Sequence, residues 1–302
     1  MDIRAEVRDF LRTRRAKITP QSVGLPSDGQ RRVPGLRRSE VATLAGVSIE
    51  YYSKLERGYL SGVSASVLDA IARALQLDTA EREHLYDLAQ AADGSATRSR
   101  GRRRSDQQWV PRPSLQWVLD AMRDAPAIVT NGRSDLLLTN DLSRAMYSQV
   151  LAAPAVTPNF ARFTFLDDAS RRFYPDWDFF ADITVATLRT EAGRNPHDQL
   201  LHELVGELST LSEEFRTRWS AHDVRIHTTG TKHFRHEVVG DLVLSYETVP
   251  LISEPGLTMT VYAAEPGSSS QESLRLLASW STGRGSAGSR SGATAGRPVA
   301  QH

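Results

Sequence analysis

The sequence predicts an all-α N-terminal domain of five helices followed by an α+β domain built on an antiparallel sheet. Three observations carry that division. Apolar residues recur at helical spacing through residues 1–92, with few strand signals. Residues 92–108, ADGSATRSRGRRRSDQQ, hold no large apolar side chain and are rich in Gly, Ser and Arg, so 93–108 reads as a flexible basic linker. Beyond it, β-branched and aromatic segments punctuated by Gly230, Gly240-Asp241 and Pro255-Gly256 read as consecutive antiparallel strands.

In the first domain, Ile3, Val7, Phe10 and Leu11 give one apolar face to a first helix. Pro20, Gly24, Pro26, Gly29, Pro34 and Gly35 then forbid continuous helix from Thr19 to Gly35. Helical character resumes over Arg38 to Ala45 and stops at Gly46; the next helix spans Ser48 to Arg57 and is closed by Gly58. Val67, Leu68, Ile71 and Leu75 line a fourth. Asp78 with Glu81 forms a capping box for a fifth, which carries Leu85, Leu88 and Ala89.

In the second domain, 109–280, Ser114 to Arg123 reads as helix. Ala127 to Thr130 and Leu136 to Thr139 flank the turn signal Asn131-Gly132. Asp178 to Arg189 and His197 to His222 read as helices, and Val224 to Thr229, His233 to Val238, Leu242 to Thr248 and Thr258 to Ala264 as strands. The tail 281–302 lacks any apolar pattern and is expected to be disordered.

The charge divides at the linker. The 302 residues carry 37 Lys and Arg against 36 Asp and Glu, a net of +1, but residues 1–105 hold 19 against 13 (+6) and residues 106–302 hold 18 against 23 (−5). The total is a cancellation: the basic half suits a nucleic-acid partner, and the acidic half is expected to stand away from phosphates. The absence of cysteine excludes disulfides, iron–sulfur clusters, Cys-ligated zinc and thiol catalysis. The opening MDIRAEVRDFLRTRR has no apolar stretch of a secretory signal, and no run approaches the ~18 apolar residues of a membrane span. A cytoplasmic location with no membrane partner is the expectation.

Function is concentrated in RRSEVATLAGVSIEYYSKLERG, residues 37–58. Gly46 supplies a bend between two helices, Ala42 and Ala45 a close approach, and Val41, Val47, Tyr52 and Leu55 a shared core; seven positions fit one helix-turn-helix unit. Ser48 N-caps the second helix, and Ile49, Glu50, Tyr51 and Lys54 are placed opposite its core face. Such a helix fits the ~12 Å major groove, where Lys54 donates to guanine, Glu50 accepts from cytosine, and Ile49 or Tyr51 meets a thymine methyl. Arg37 and Arg38, at the start of the preceding helix, suit a backbone phosphate. Glu56 reads as structural, tying down the helix end or a loop. An ordinary helical hairpin would explain the glycine; it would not explain the basic excess beside the seven fitted positions. Because one recognition helix buries little surface, a homodimer on two half-sites is expected.

LRRSEVATLAGVSIEYYSKLERG, with FLRTRRAKITPQSVGLP and RRVPGLRR before it, resembles the Xre-type helix-turn-helix regulators. FTFLDDASRRFYPDW, GELSTLSEEFRTRWSAHDV, GTKHFRHEVVGDLVLSYE and VYAAEPGSSSQESLRLLAS resemble the ligand-binding domain of the MmyB-like transcription regulators. The likeness runs over about residues 3–280. It implies a PAS-like second domain and a transcription regulator that senses a small apolar, fatty-acid-like molecule. It also places the DNA-facing positions on Arg38, Ser48, Ile49, Glu50, Tyr51 and Lys54. The long Thr19 to Pro34 insertion departs from the simplest Xre repressors; its Arg31 and Arg32, like Arg102, Arg103 and Arg104, either follow a phosphate backbone or are solvated.

A sensor needs an apolar pocket with few polar anchors. Phe160, Phe163, Phe165, Phe173, Tyr174, Trp177, Phe179 and Phe180 form an aromatic cluster that is either core, dimer interface or pocket. Arg162 is the expected carboxylate anchor, with Phe163, Tyr174 and Trp177 as ligand-lining residues. The competing reading gives the second domain only an assembly or protein-partner role. Catalysis, cofactors and metals are not expected: HExxH, GxSxG and Walker patterns are missing, and His233 and His236 point to opposite faces of a strand, away from any clamp with His227. The Gly283, Gly285, Gly288 match to GxGxxG has no strand before it. Asp167-Asp168 and Asp176/Asp178 read as caps or solvated groups.

Overall fold

A computed structural model of the chain describes residues 3–25, 35–93, 111–152, 157–221 and 229–288, with backbone only over 281–288. The first domain contains α1 (Ile3–Lys17), a 3-10 turn (Pro20–Val23), α2 (Arg38–Ala45), α3 (Ile49–Glu56), α4 (Ala65–Ala74) and α5 (Thr79–Ala92). Its core joins Val7, Phe10 and Leu11 of α1 to Leu36, Val41, Tyr52, Leu55, Leu68, Ile71, Leu85 and Leu88. Gly46 takes φ +66° at the α2–α3 bend, and its N–H and that of Val47 close the end of α2 on the carbonyls of Thr43 and Ala42.

The second domain begins with α6 (Pro113–Ala121), β1 (Ala127–Asn131) and β2 (Leu136–Thr139). Helices α7 (Asp141–Met146), α8 (Ser148–Leu151), α9 (Phe160–Leu166), α10 (Ala169–Phe173), α11 (Trp177–Arg194), α12 (Gln199–Leu211) and α13 (Glu213–Ser220) follow. Then come β3 (Thr229–His236), β4 (Gly240–Pro250), β5 (Leu257–Ala263) and α14 (Ser269–Gly288). The sheet order is β2-β1-β5-β4-β3, antiparallel throughout, which is the α+β, PAS-like arrangement expected. Alternation decides its faces: Phe234, Leu242, Leu244, Tyr246 and Tyr262 point inward to the helices, while Arg235, Val243 and Ser245 are exposed. Leu119 of α6 covers Ala127 and Val129 on the other face of β1.

Three expectations are corrected. The single helix over 197–222 is two, because the Ser212 hydroxyl caps α13 by accepting from the Phe215 N–H at 3.2 Å. Gly230 does not separate strands; it sits inside β3 opposite Tyr246, at a φ of +149° that glycine tolerates. The strand expected over 224–229 otherwise lies outside the described residues. The helix α14 runs to Gly288, into the tail expected to be without structure, since the buried Leu274 and Leu277 dock its first half on the domain core and helix propagates from a formed turn. The linker 94–110 with Arg102, Arg103 and Arg104, the loop arginines Arg31 and Arg32, and residues 289–302 lie outside the described residues.

The domains meet along α11. Buried Arg189 bonds Glu6 of α1, Arg194 Nε reaches Asp87 of α5 at 3.0 Å, and Gly193 lies under the His84 ring, where a Cβ would come within 2.6 Å.

Candidate nucleic-acid interface and ligand domain

Helix α3 is held from its first turn. The Ser48 hydroxyl accepts from the Tyr51 N–H at 3.1 Å, and Ser48, Ile49, Glu50 and Lys54 are all exposed. Nearly half of Ile49 is open to solvent, which a core role would not leave. Tyr51 departs from its expected place. Four residues after Val47, it shares that side of the helix and is half-buried against the core, so only part of its ring remains for a base.

Arg37 is exposed at the α2 N-terminus, where its N–H donates to Glu40 Oε2 at 2.6 Å. Arg38 is half-exposed and its Nε donates to Glu56 Oε2 at 2.8 Å. The other Glu56 oxygen accepts from Arg15 Nη2 at 2.8 Å, and Arg15 Nη1 donates to the Leu36 carbonyl at 2.7 Å. Glu56, 2% exposed, therefore fastens α1 and α2 to the end of α3, the structural part its sequence position suggested.

Around that carboxylate, Arg8, Arg12, Arg15, Arg38, Ser39 and Ile49 line one surface groove. Arg8, Arg12 and Arg15 of α1 escaped the sequence reading. Their signal was present: 8, 12 and 15 follow i, i+4, i+7, a stripe beside the apolar stripe of the same helix. Four guanidinium groups, set against the buried Glu56 and the Asp9 carboxylate that Arg8 bonds at 2.9 Å, leave the groove net positive and attractive to phosphate, continuous with the exposed start of α3.

In the second domain Phe163, Tyr174 and Trp177, the expected ligand-lining residues, are buried in the core. Phe163 meets Tyr174 edge-on at 5.7 Å, Tyr174 stacks on Phe180 at 3.8 Å, and Trp177 Nε1 donates to the Thr164 carbonyl at 3.0 Å. Burial raises the Tyr174 and Tyr147 phenols well above their ordinary pKa, so both stay neutral. Arg162 is a correction. Its Nη2 and Nε hold Glu207 at 2.7 and 3.0 Å on the half-exposed side of α9, so its charge is already met by a carboxylate of α12.

The enzyme-like signals dissolve into structural roles. His236 is buried on the inner face with Nε2 at 3.2 Å from the Ala145 carbonyl, while His233 faces outward near Asp241; His227 lies outside the described residues. The Asp167 carboxylate accepts from the Ala169 N–H, and Asp178 pairs with Arg218. Among the described residues, no three His, Asp or Glu side chains gather as metal ligands, and no helix is long and apolar enough to cross a membrane.

Compared with known families, residues 6–85 match a helix-turn-helix domain and residues 111–277 match the MmyB-like transcription regulator ligand binding domain, more than half of the chain. No curated protein matches the chain.

Proposed function

The chain belongs to the MmyB-like transcription regulators, a DNA-binding domain joined to a ligand-binding domain, and from that premise we propose how each domain works. Residues 3–92 read operator DNA through α3, with Ser48, Ile49, Glu50, Lys54 and the exposed part of Tyr51 at base edges. Arg37, Arg38 and the groove arginines Arg8, Arg12 and Arg15 hold phosphates. Residues 109–280 bind a small apolar, fatty-acid-like molecule and pair two protomers, which adds the energies of two half-sites. The observation that carries the reading is the capped, exposed start of α3 beside a groove lined by four arginines. The effector acts only through its different affinity for two conformations of the protein.

Binding of the full chain across an operator library tests the DNA half. Lys54→Ala is expected to cost ~1–3 kcal/mol and to relax preference at one base position. Arg12→Ala is expected to weaken all sequences alike and to reduce the slope of log affinity against log salt by ~1. A chain that binds no DNA at low salt would end the reading. For the other half, native mass spectrometry of the purified protein is expected to show a bound apolar molecule; a domain left empty by every lipid offered points to an assembly role instead.

A further inference from the structure

The first helix of the second domain is apolar on both sides. Leu115, Leu119 and Met122 of α6 face the sheet, as an amphipathic period requires. The side turned to solvent carries Pro113, Trp117, Val118 and Ala121, all exposed, and Asp120 is the one charge between Pro113 and Ala121. Trp117 is 69% exposed where a surface helix ordinarily places polar groups. Ile252, 93% exposed, stands in the β4–β5 turn, which Arg112 ties to the start of α6 through Ser253 and Glu254 at 2.6 and 2.9 Å.

One helix also leaves half of the outer sheet face bare. The five strands span roughly 20 Å, whereas a helix with its side chains is about 10–12 Å across. Leu119 packs on Ala127 and Val129 of β1, and Gln116 Nε2 reaches the Thr139 carbonyl of β2 at 3.2 Å. Val118 and Ala121, on the opposite flank of α6 from Gln116, therefore border β5, where Met259 and Val261 are only half-buried. Beyond them Val249 of β4, paired with Met259, is exposed.

We propose that a second copy of this chain covers this face, its own α6 lying beside the first on the bare half of the sheet. The two-fold axis runs along and between the two helices, so the two copies of Val118 face each other, and Trp117 of each copy presses on the other's bare strands. This rests on the pairing of protomers in the reading above and gives that pairing a surface. The chain's DNA-binding domain is not the cover. It docks on α11, whose Trp177 and Phe180 belong to the core cluster of Phe234 on the inner face, so the sheet stands between. A copy of the same chain brings what the step lacks, an uncharged helix side for an uncharged strip of strands, and a two-fold closes the pair. The area agrees. Trp117, Val118, Val249 and Ile252 leave on the order of 500 Å² open, more than a monomer ordinarily exposes in one apolar patch. Pro113, Ala121, Met259 and Val261 around them bring the face toward the ~800 Å² per partner of a standard interface. Glu247, on the same face, leans to the β3 edge, where it accepts from the Thr229 hydroxyl at 2.6 Å and falls on the rim.

Sedimentation of the full chain at micromolar concentration is expected to show a dimer. Trp117→Glu should weaken that dimer about a hundredfold, as loss of a central aromatic anchor does, while Trp117→Phe keeps it. An unchanged far-ultraviolet circular dichroism spectrum of Trp117→Glu separates loss of pairing from loss of the fold. Because the chain has no cysteine, single thiols give a second, independent measurement. Val118→Cys is expected to cross-link to a dimer with copper phenanthroline, and Leu211→Cys, at an exposed position of α12 in the helical layer, is not. A dimer that survives Trp117→Glu, or a Val118→Cys chain that cross-links no faster than Leu211→Cys, overturns this face and leaves the pairing of protomers standing. A chain that sediments as a monomer overturns both and gives the face to a different occupant.

Discussion

Replacing Arg189 by alanine is expected to cost about 3–5 kcal/mol and to split the unfolding of the chain into two transitions. The side chain is fully buried on α11, bonds Glu6 of α1 and the Trp219 carbonyl, and lies over the Trp219 ring at 4.0 Å. Burial pushes the guanidinium pKa down, and the Glu6 charge opposes that shift. Truncation strips Glu6, itself 6% exposed, of that cation at the seam between domains. Scanning calorimetry should then show the helix-turn-helix domain melting by itself, at a lower temperature than the second domain. A single, unshifted transition would show that the seam carries no such energy. Gly193→Ala should act in the same direction by driving a Cβ into the His84 ring.

The position of Arg189 gives the seam its interest. The same helix begins with Trp177 and Phe180, inside the aromatic cluster, and reaches the DNA-binding domain with Arg189, Gly193 and Arg194. A ligand that shifts the first turn of α11 therefore loads the contact with α1, whose outer stripe is the arginine groove. In Arg189→Ala, ligand affinity should persist while its effect on DNA affinity shrinks.

What the sequence made legible is what local chemistry fixes. The α2–α3 unit and the start of α5 could be read because Gly46, Ser48 and the Asp78–Glu81 pair act on groups within four residues of themselves. Tyr51 could have been placed correctly from its spacing to Val47, and the α1 stripe from its own period. The short helices α7 to α10 run four to seven residues, too few for a 3.6-residue period to emerge. Arg162 was misjudged because its partner lies 45 positions away. The Arg189–Glu6 pair joins positions 183 apart.

Glu56 sets the second large effect, because it is the buried acid to which two arginines of the groove, Arg15 and Arg38, are bonded. Glu56→Ala leaves Arg15, 12% exposed, with its charge buried and its carboxylate gone, at an expected cost of about 3–5 kcal/mol. In a domain of this size that lowers the domain's melting temperature by roughly 10 °C or more. Arg38 suffers less in itself, since it is half-exposed and water replaces the lost bond, but it loses the fixed aim that Glu56 gives its guanidinium. Stability and DNA binding should therefore part company in the milder Glu56→Gln. Removing a negative charge from the groove is expected to strengthen binding to random DNA and to steepen its salt dependence by up to one counterion. The ratio of operator to random affinity should fall, because a freed Arg38 no longer holds α2 and α3 in one register on the phosphates. Measuring both affinities across a salt series decides it: if operator and random binding rise together, the carboxylate merely repels phosphate, and if specificity alone falls, its work is to position Arg38.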